Sequence, residues 1–236
     1  MINSLSLPGI SDVRSARFYS LARHALVAGL RALAIGVGHT VGATAVYYPV
    51  DVKLQPAIDP VDWPCADAVV AVDYFGFAQP LAPFEKYCAK TGARLIEDNA
   101  HGFLSCDESG QWLGSRGEIG LFSLRKTFLM VNGAALAVQA LDAAARIAPQ
   151  LPLVVTAVPS GLRLRRALRY ITGSRKPELL AALGVRWIRC RFLGYSIVPP
   201  AADAEIQIPG CAEPSSDLFE TLAKHEFTIE SERRRR

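Results

Sequence analysis

Short apolar segments alternate with amphipathic ones along the first 150 residues, and this alternation limits the possible folds more than any other feature. Val69–Val72, Arg94–Glu97 and Ile119–Ser123 predict strands, whereas the apolar spacing over Leu81–Thr91 predicts a helix that ends at Gly92. Apolar strands that alternate with helices are typical of a mostly parallel sheet covered on both faces. The sequence therefore predicts an α/β protein with three α/β/α layers.

The same patterns extend the prediction on both sides of this centre. Arg17–Leu33 predicts a helix and Val46–Val50 a strand, while Ala134–Val138 predicts a strand that leads into a short helix over Ala140–Ile147. Further helices are predicted at Leu162–Ile171, Pro177–Leu183 and Ser216–Lys224. We expect residues 1–160 to form the core domain and 161–236 to form a helical and loop extension of it.

Polar residues follow the predicted strands where each strand ends. Asp73, Asp98 and Ser123 occupy such positions, and Lys126 follows shortly after. Ligands of open α/β sheets bind at the carboxyl ends of the strands. A carboxylate there can face a pyridinium nitrogen and a lysine can form an imine, a combination that suits pyridoxal phosphate. The alternative for Asp98 is a structural role as a helix N-cap.

Two motifs carry a family resemblance. Glu97-Asp98-Asn99-Ala100-His101 is followed by Gly117-Glu118-Ile119-Gly120-Leu121-Phe122-Ser123 and a lysine, and this wording resembles the DegT/DnrJ/EryC1/StrS family of sugar aminotransferases. Arg23–Leu33 looks like the first helix of that family, and Val69–Gly76 looks like a later strand. The resemblance covers roughly residues 18–150. It implies the large domain of fold-type-I transferases that depend on pyridoxal 5'-phosphate.

The resemblance also implies roles for five residues. Lys126 would be the Schiff-base lysine, and Asp98 would keep the pyridine nitrogen protonated. His101 would lie against the ring or its phenolic oxygen, while Ser123 and Arg125 would contact the phosphate. Taken singly, the lysine could be a solvated surface residue, the serine a turn former and the histidine structural.

By resemblance, the reaction moves an amino group from an amino-acid donor to the keto group of a nucleotide-linked sugar. A homodimer is expected, and no metal site is predicted. The alternative is a non-catalytic relative that binds cofactor weakly or pairs with another subunit.

The chain departs from the family pattern in several places. One βα unit is expected to be missing near residues 41–42, and the small C-terminal domain is expected to be absent. The interval from Ser123 to Lys126 is three residues, where most family members have five. Ala134 replaces a second glycine after the lysine, and it would strain that turn if the position needs a positive φ.

Composition limits location and partners. Five cysteines without a CxxC spacing argue against a secreted disulfide framework and favour the cytoplasm. Neither a signal peptide nor a membrane span is predicted. Residues 151–236 hold 14 basic and 9 acidic side chains. The basic residues between Arg163 and Arg191 could bind a nucleotide diphosphate or a nucleic acid, but a solvated helix face is the favoured interpretation, so nucleic acid is not expected as a partner.

Overall fold

A computed structural model describes residues 7–11, 13–36, 44–194, 210–224 and 227. Five strands and seven α-helices are found over these ranges. In chain order they are β1 Ser15–Tyr19, α1 Ala22–Ala32, β2 Ala68–Val72, α2 Ala82–Thr91, β3 Arg94–Asn99, β4 Ile119–Phe122, α3 Leu124–Thr127, β5 Ala134–Val138, α4 Leu141–Arg146, α5 Ser160–Thr172, α6 Arg175–Phe192 and α7 Ser216–Ala223.

The strands form one mixed sheet in the order β1-β5-β4-β3-β2. Strands β2, β3 and β4 are parallel to each other, whereas β5 is antiparallel to both of its neighbours, β4 and β1. Four of the five strands therefore point in one direction. The prediction of a mostly parallel sheet is confirmed.

Helices cover both faces of this sheet. Ile96 packs with α1 and α4 in one apolar cluster, whereas the neighbouring Leu95 packs with α2 in another. Because successive side chains of a strand point to opposite faces, these helices lie on opposite sides of the sheet. Helix α7 contributes Leu218 to a third cluster, which also contains Phe122 of β4. The three-layer α/β/α architecture is confirmed.

The prediction of one helix over Arg17–Leu33 is wrong in its first part. Ser15–Tyr19 forms the edge strand β1, and α1 begins only at Ala22. Phe18 lies opposite Ala135 and Tyr19 opposite Ala134 of β5, more than 110 residues later in the chain. A strand partner so distant in sequence overrides the local helical spacing.

The predicted strand over Val46–Val50 is also wrong. This segment is extended, and only Val50 makes an isolated bridge, to Pro56. Its ordered contact comes from Tyr48, whose ring stacks on Trp63 with centroids 5.4 Å apart and whose hydroxyl donates to the Val70 carbonyl of β2. Pro49 can donate no ladder hydrogen bond, which weakens a strand at this place. The expected junction near residues 41–42 lies outside the described residues.

The C-terminal helices are confirmed, with changed bounds. Helix α6 is longer than the predicted Pro177–Leu183, and it forms an antiparallel hairpin with α5. Arg166 of α5 joins the hairpin to the body of the protein by donating to both carboxylate oxygens of Asp217 on α7, each at 2.7 Å. Over the described ranges, no helix has the length and apolar character needed to cross a bilayer.

We expect Gly120→Ala to destabilise the protein by about 2 kcal/mol or more. Gly120 lies in β4, and a Cβ there would overlap the backbone carbonyl of Gly114. Urea unfolding measures the loss. Gly184→Ala in the exposed part of α6 is the matched control, because nothing lies within 4 Å of its added Cβ. The control should gain a few tenths of a kcal/mol or more from helix propensity. Equal stabilities of the two variants would contradict the packing.

Candidate active site

The candidate site lies where β2, β3 and β4 end. Val72 of β2 is paired with Asp98 of β3, and Asn99 is paired with Phe122 of β4. The backbone amide of Asp73 donates to the Asp98 carbonyl at 2.9 Å, which extends the β2–β3 pairing by one residue. Asp73, Asp98 and Ser123 therefore share one edge of the sheet, as the strand pattern predicts.

Helix α3 is a single turn that brings Lys126 back to this edge. The Lys126 amide donates to the Ser123 carbonyl at 3.1 Å, so the turn begins directly at the end of β4. Lys126 Nζ then lies 2.9 Å from His101 Nε2. The three-residue interval from Ser123 thus places the lysine against the histidine that follows β3.

Asp98 belongs to the same group. Its Oδ1 accepts a hydrogen bond from the Ala100 amide at 2.9 Å, so the carboxylate stabilises the turn after β3 rather than the start of a helix. Burial raises the pKa of Asp98, while this hydrogen bond and the charges of Lys126 and His101 act in the opposite direction. A partly desolvated acid thus faces a lysine and a histidine.

His101 follows β3 and contacts Lys126, which follows β4, so this pair joins the two strand ends. Desolvation lowers the pKa of His101, and the positive charge of Lys126 acts in the same direction, whereas Asp98 raises it. The net direction favours a neutral imidazole at neutral pH. A neutral ring leaves one nitrogen able to accept a hydrogen bond from the lysine.

Phe75 packs against the face of the His101 ring. The two rings are nearly parallel, at 14°, with centroids 5.9 Å apart, although Phe75 is 73% exposed. Its φ of 57° lies in the left-handed region, which is rare for a bulky residue and often marks a functional turn. Two close-packed glycines hold this turn, since a Cβ on Gly102 would lie 2.6 Å from Gly76 Cα.

Ser123 and Arg125 lie beside this group rather than in it. Ser123 is buried, and its hydroxyl makes no hydrogen bond that caps α3. Arg125 is exposed on α3, where its amide donates to the Gly133 carbonyl at 3.2 Å. The structure thus brings Asp98, His101 and Lys126 together.

A buried ionic cluster lies behind the site. Arg116 donates through Nε to Glu97 Oε1 at 2.7 Å and through Nη2 to Asp73 Oδ1 at 3.1 Å, while its backbone amide donates to Glu97 Oε2. Both carboxylates are completely buried, and the arginine side chain is 8% exposed. Burial, followed by the charge of Glu97, raises the pKa of Asp73 to about 8. One guanidinium therefore serves two buried carboxyls, and the raised pKa favours the protonated form of Asp73 at neutral pH.

Ala134 does not strain the turn after Lys126. It is a fully buried residue of β5, and it is not among the described residues with a positive φ. The tight position is Gly133, where an added Cβ would lie 2.7 Å from Leu218 Cδ1. The family difference at residue 134 therefore leaves the backbone conformation intact.

Sequence reasoning assigned no role to Phe75 or Arg116. Phe75 stands directly before Gly76 in the strand segment that resembles the family, and Arg116 directly precedes the Gly117 motif. The signal that the sequence offered was the position of each residue next to a motif of the family resemblance. The stacking of Phe75 and the two buried ion pairs of Arg116 depend on residues at least 19 positions away in the chain.

We expect Asp73→Asn to change how stability depends on pH. An acid whose folded-state pKa is raised contributes stability that is complete below its unfolded value of 3.8 and is lost as the pH rises through about 8. The wild type should therefore lose on the order of a few kcal/mol, relative to the variant, between pH 5 and pH 9. Urea unfolding of both proteins across this range measures the difference.

The matched control is Asp142→Asn. Hydrogen bonds from Arg94 and Arg146 lower the pKa of this exposed carboxyl, so its contribution to stability is lost only in acid. The difference between wild type and this control should be flat from pH 5 to pH 9. A flat difference for Asp73→Asn as well would contradict a proton on Asp73.

Comparison with known proteins identifies the segment that carries this site. The model of the DegT/DnrJ/EryC1/StrS aminotransferase family matches residues 39–148. No curated protein sequence matches the chain.

Several solved structures are similar to part of this chain. They include DesI in the presence of its TDP-sugar product, at 26% identity, 59% of this chain, 41% of that chain and a TM-score of 0.49. A DegT DnrJ EryC1 StrS aminotransferase from Brucella abortus matches at 20% identity. The match covers 56% of this chain and 44% of that chain, with a TM-score of 0.48. PseC of Helicobacter pylori, an aminotransferase involved in the biosynthesis of pseudoaminic acid, matches at 16% identity. The match covers 59% of this chain and 43% of that chain, with a TM-score of 0.49.

The chain thus spans about two-fifths of the length of these aminotransferases. The family match contains the two motifs, all five predicted site residues and the strands that position them. Residues 39–148 of this chain, and with them the candidate site, therefore match the model of the DegT/DnrJ/EryC1/StrS aminotransferase family and resemble that family.

Proposed function

We propose that the chain carries the cofactor-binding core of an aminotransferase that depends on pyridoxal 5'-phosphate, with Lys126 as the residue that bonds to the cofactor. The observation that carries the proposal is the 2.9 Å contact between Lys126 Nζ and His101 Nε2, beside Asp98, at the carboxyl end of the sheet. These three residues occupy the positions that the family motifs predict. Their convergence depends on the fold and not on spacing alone.

The side chains at this edge have the chemistry that the cofactor requires. An amine can bond to its aldehyde, a carboxylate can pair with its ring nitrogen, and a flat imidazole can lie against the ring. Ser123 adds a hydroxyl that is not used to cap α3. When bound, the cofactor supplies an electron sink that stabilises negative charge at the substrate carbon. The residues present therefore fit the group.

Lys126 must be uncharged to act as a nucleophile. His101 can accept a hydrogen bond from the Lys126 amine, because the two nitrogens are within hydrogen-bond distance and the lowered pKa keeps the imidazole neutral. The same pair can return a proton to the substrate carbon. His101 thereby acts as the hydrogen-bond partner of the lysine, with Phe75 stacked on its ring.

Asp98 has the complementary task. Burial raises the pKa of Asp98 in the free protein, and a cationic ring nitrogen beside it would favour the charged carboxylate. The Ala100 amide holds Oδ1 in place, which orients the carboxyl before any ligand arrives. An acid oriented in this way would keep the ring nitrogen of a bound cofactor protonated.

The proposed substrates rest on the family resemblance. We propose an amino acid as donor and the keto group of a sugar as acceptor, together with a cytoplasmic location and a homodimer. In a homodimer, each subunit can contribute residues to the site of the other. Such residues would add cofactor or substrate contacts to those of Asp98, His101 and Lys126.

We expect reduction with borohydride in the presence of pyridoxal phosphate to modify Lys126 in the wild type. Peptide mass spectrometry locates the label, and visible absorbance follows its formation. The label should disappear in Lys126→Ala and remain in Lys90→Ala, which removes an exposed lysine of α2 far from the strand ends. A label spread over surface lysines, or one unaffected by Lys126→Ala, would favour the non-catalytic alternative.

A second variant separates binding from turnover. We expect Asp98→Asn to retain the Lys126 label and to lower transamination of an amino-acid donor by about 100-fold or more, because the electrostatic partner of the ring nitrogen is lost. Single-turnover absorbance measurements follow the amino transfer. Circular dichroism confirms that the variant is folded. Unchanged turnover would exclude Asp98 from this role.

A further inference from the structure

The hairpin of α5 and α6 is held together by one buried acid. Glu178 of α6 is 1% exposed, and it accepts hydrogen bonds from Arg165 at 2.9 Å and from Arg169 at 2.8 Å on α5. Glu178 therefore marks the side of α6 that faces α5. At 100° per residue, Leu180, Leu183 and Trp187 fall between 140° and 200° away from it.

These three residues form an apolar stripe on the outer side of the hairpin. Leu180 is 69% exposed, Leu183 is 59% exposed and Trp187 is 62% exposed. Trp187 also makes an edge contact with Phe192 at the end of the helix, with centroids 5.8 Å apart. Large apolar residues exposed side by side on one helix face mark an interaction surface rather than a solvated face.

The charge of the hairpin indicates what this surface contacts. From residue 160 to residue 193 the chain has nine basic residues and a single acid, the buried Glu178. Arg186 and Arg191 lie exposed on the two flanks of the apolar stripe, and Arg191 lies over the ring of Phe192 at 5.9 Å. The accessible charge of the hairpin is therefore entirely positive.

We propose that this hairpin docks onto an anionic lipid surface, with Leu180, Leu183 and Trp187 inserted at the interface and the arginines against the lipid phosphates. An amphipathic helix with Trp and Leu on one face and arginine on its flanks binds membranes in this way, parallel to the surface and without crossing it. Arg166 ties the hairpin to Asp217, so docking would hold the whole α/β body at the membrane.

Charge and side-chain type disfavour two other occupants. A second copy of the hairpin would bring two strongly positive surfaces together, which costs electrostatic free energy. A nucleic acid would contact the arginines, and a single strand could stack a base on Trp187, but it would leave the aliphatic Leu180 and Leu183 uncovered.

Vesicle sedimentation of the full chain tests the proposal. The probes are vesicles of phosphatidylcholine mixed with phosphatidylglycerol, and vesicles of phosphatidylcholine alone. We expect binding to the mixed vesicles that weakens with added salt, and at least about tenfold weaker binding for Leu183→Glu, which places a negative charge in the apolar stripe. Leu141→Glu is the matched control, because Leu141 is 71% exposed but lies on α4, and it should bind like the wild type.

Three results would overturn the proposal. The first is absence of sedimentation with mixed vesicles at low salt. The second is equal binding of the wild type and Leu183→Glu. The third is self-association in light scattering that Leu183→Glu abolishes, which would assign the stripe to a second copy. A gel-shift with single-stranded RNA completes the set: retention unaffected by Leu183→Glu, without vesicle binding, would assign the basic residues to nucleic acid.

Discussion

The arrangement of the site depends on the ion pairs of Arg116. This arginine joins the end of β2, through Asp73, to the middle of β3, through Glu97, and both carboxylates are shielded from water. Removing one charge from such a buried group leaves the others uncompensated, which is costly in free energy. Neighbouring residues of a strand face opposite ways, so Glu97 points to this cluster while Asp98 points away from it. The cluster thereby fixes the strand that carries the candidate acid.

Close backbone packing then places the residues around Asp98. Asn99 donates to the Gly102 carbonyl at 3.2 Å and to the Leu113 carbonyl at 2.7 Å, which holds the turn that carries His101. Gly76 and Gly102 allow the turns after β2 and β3 to touch, and Phe75 adopts its left-handed conformation at this contact. The stacking of Phe75 on His101 is therefore a consequence of how two loops meet. The site gains its order from the turns as much as from the sheet.

Local patterns predicted the buried strands and failed at the edges. The sequence predicts strands β2 to β5 because these segments are apolar on both of their faces, whichever face a helix covers. In Ala134–Val138, for example, every residue is buried. Strand β1 was assigned to a helix because Phe18 and Tyr19 find their partners only in β5. Val46–Val50 has the composition of a strand, but Tyr48 contacts β2 with its side chain instead of its backbone. In both cases the deciding contact is distant in sequence.

The sequence by itself determined the α/β class, which depends on periodicity, and its motifs made Asp98, His101 and Lys126 candidate site residues through the family resemblance and their positions after strand ends. Only the tertiary structure decided that Lys126 reaches His101 from a one-turn helix, that Arg116 donates to two buried acids and that Phe75 stacks on the imidazole. It also separated the basic residues of the C-terminal hairpin into those that bind Glu178 or Asp217 and those that remain exposed beside an apolar stripe. The physical reason is common to all of these. Pairing, burial and charge compensation arise between residues that only the folded chain brings together.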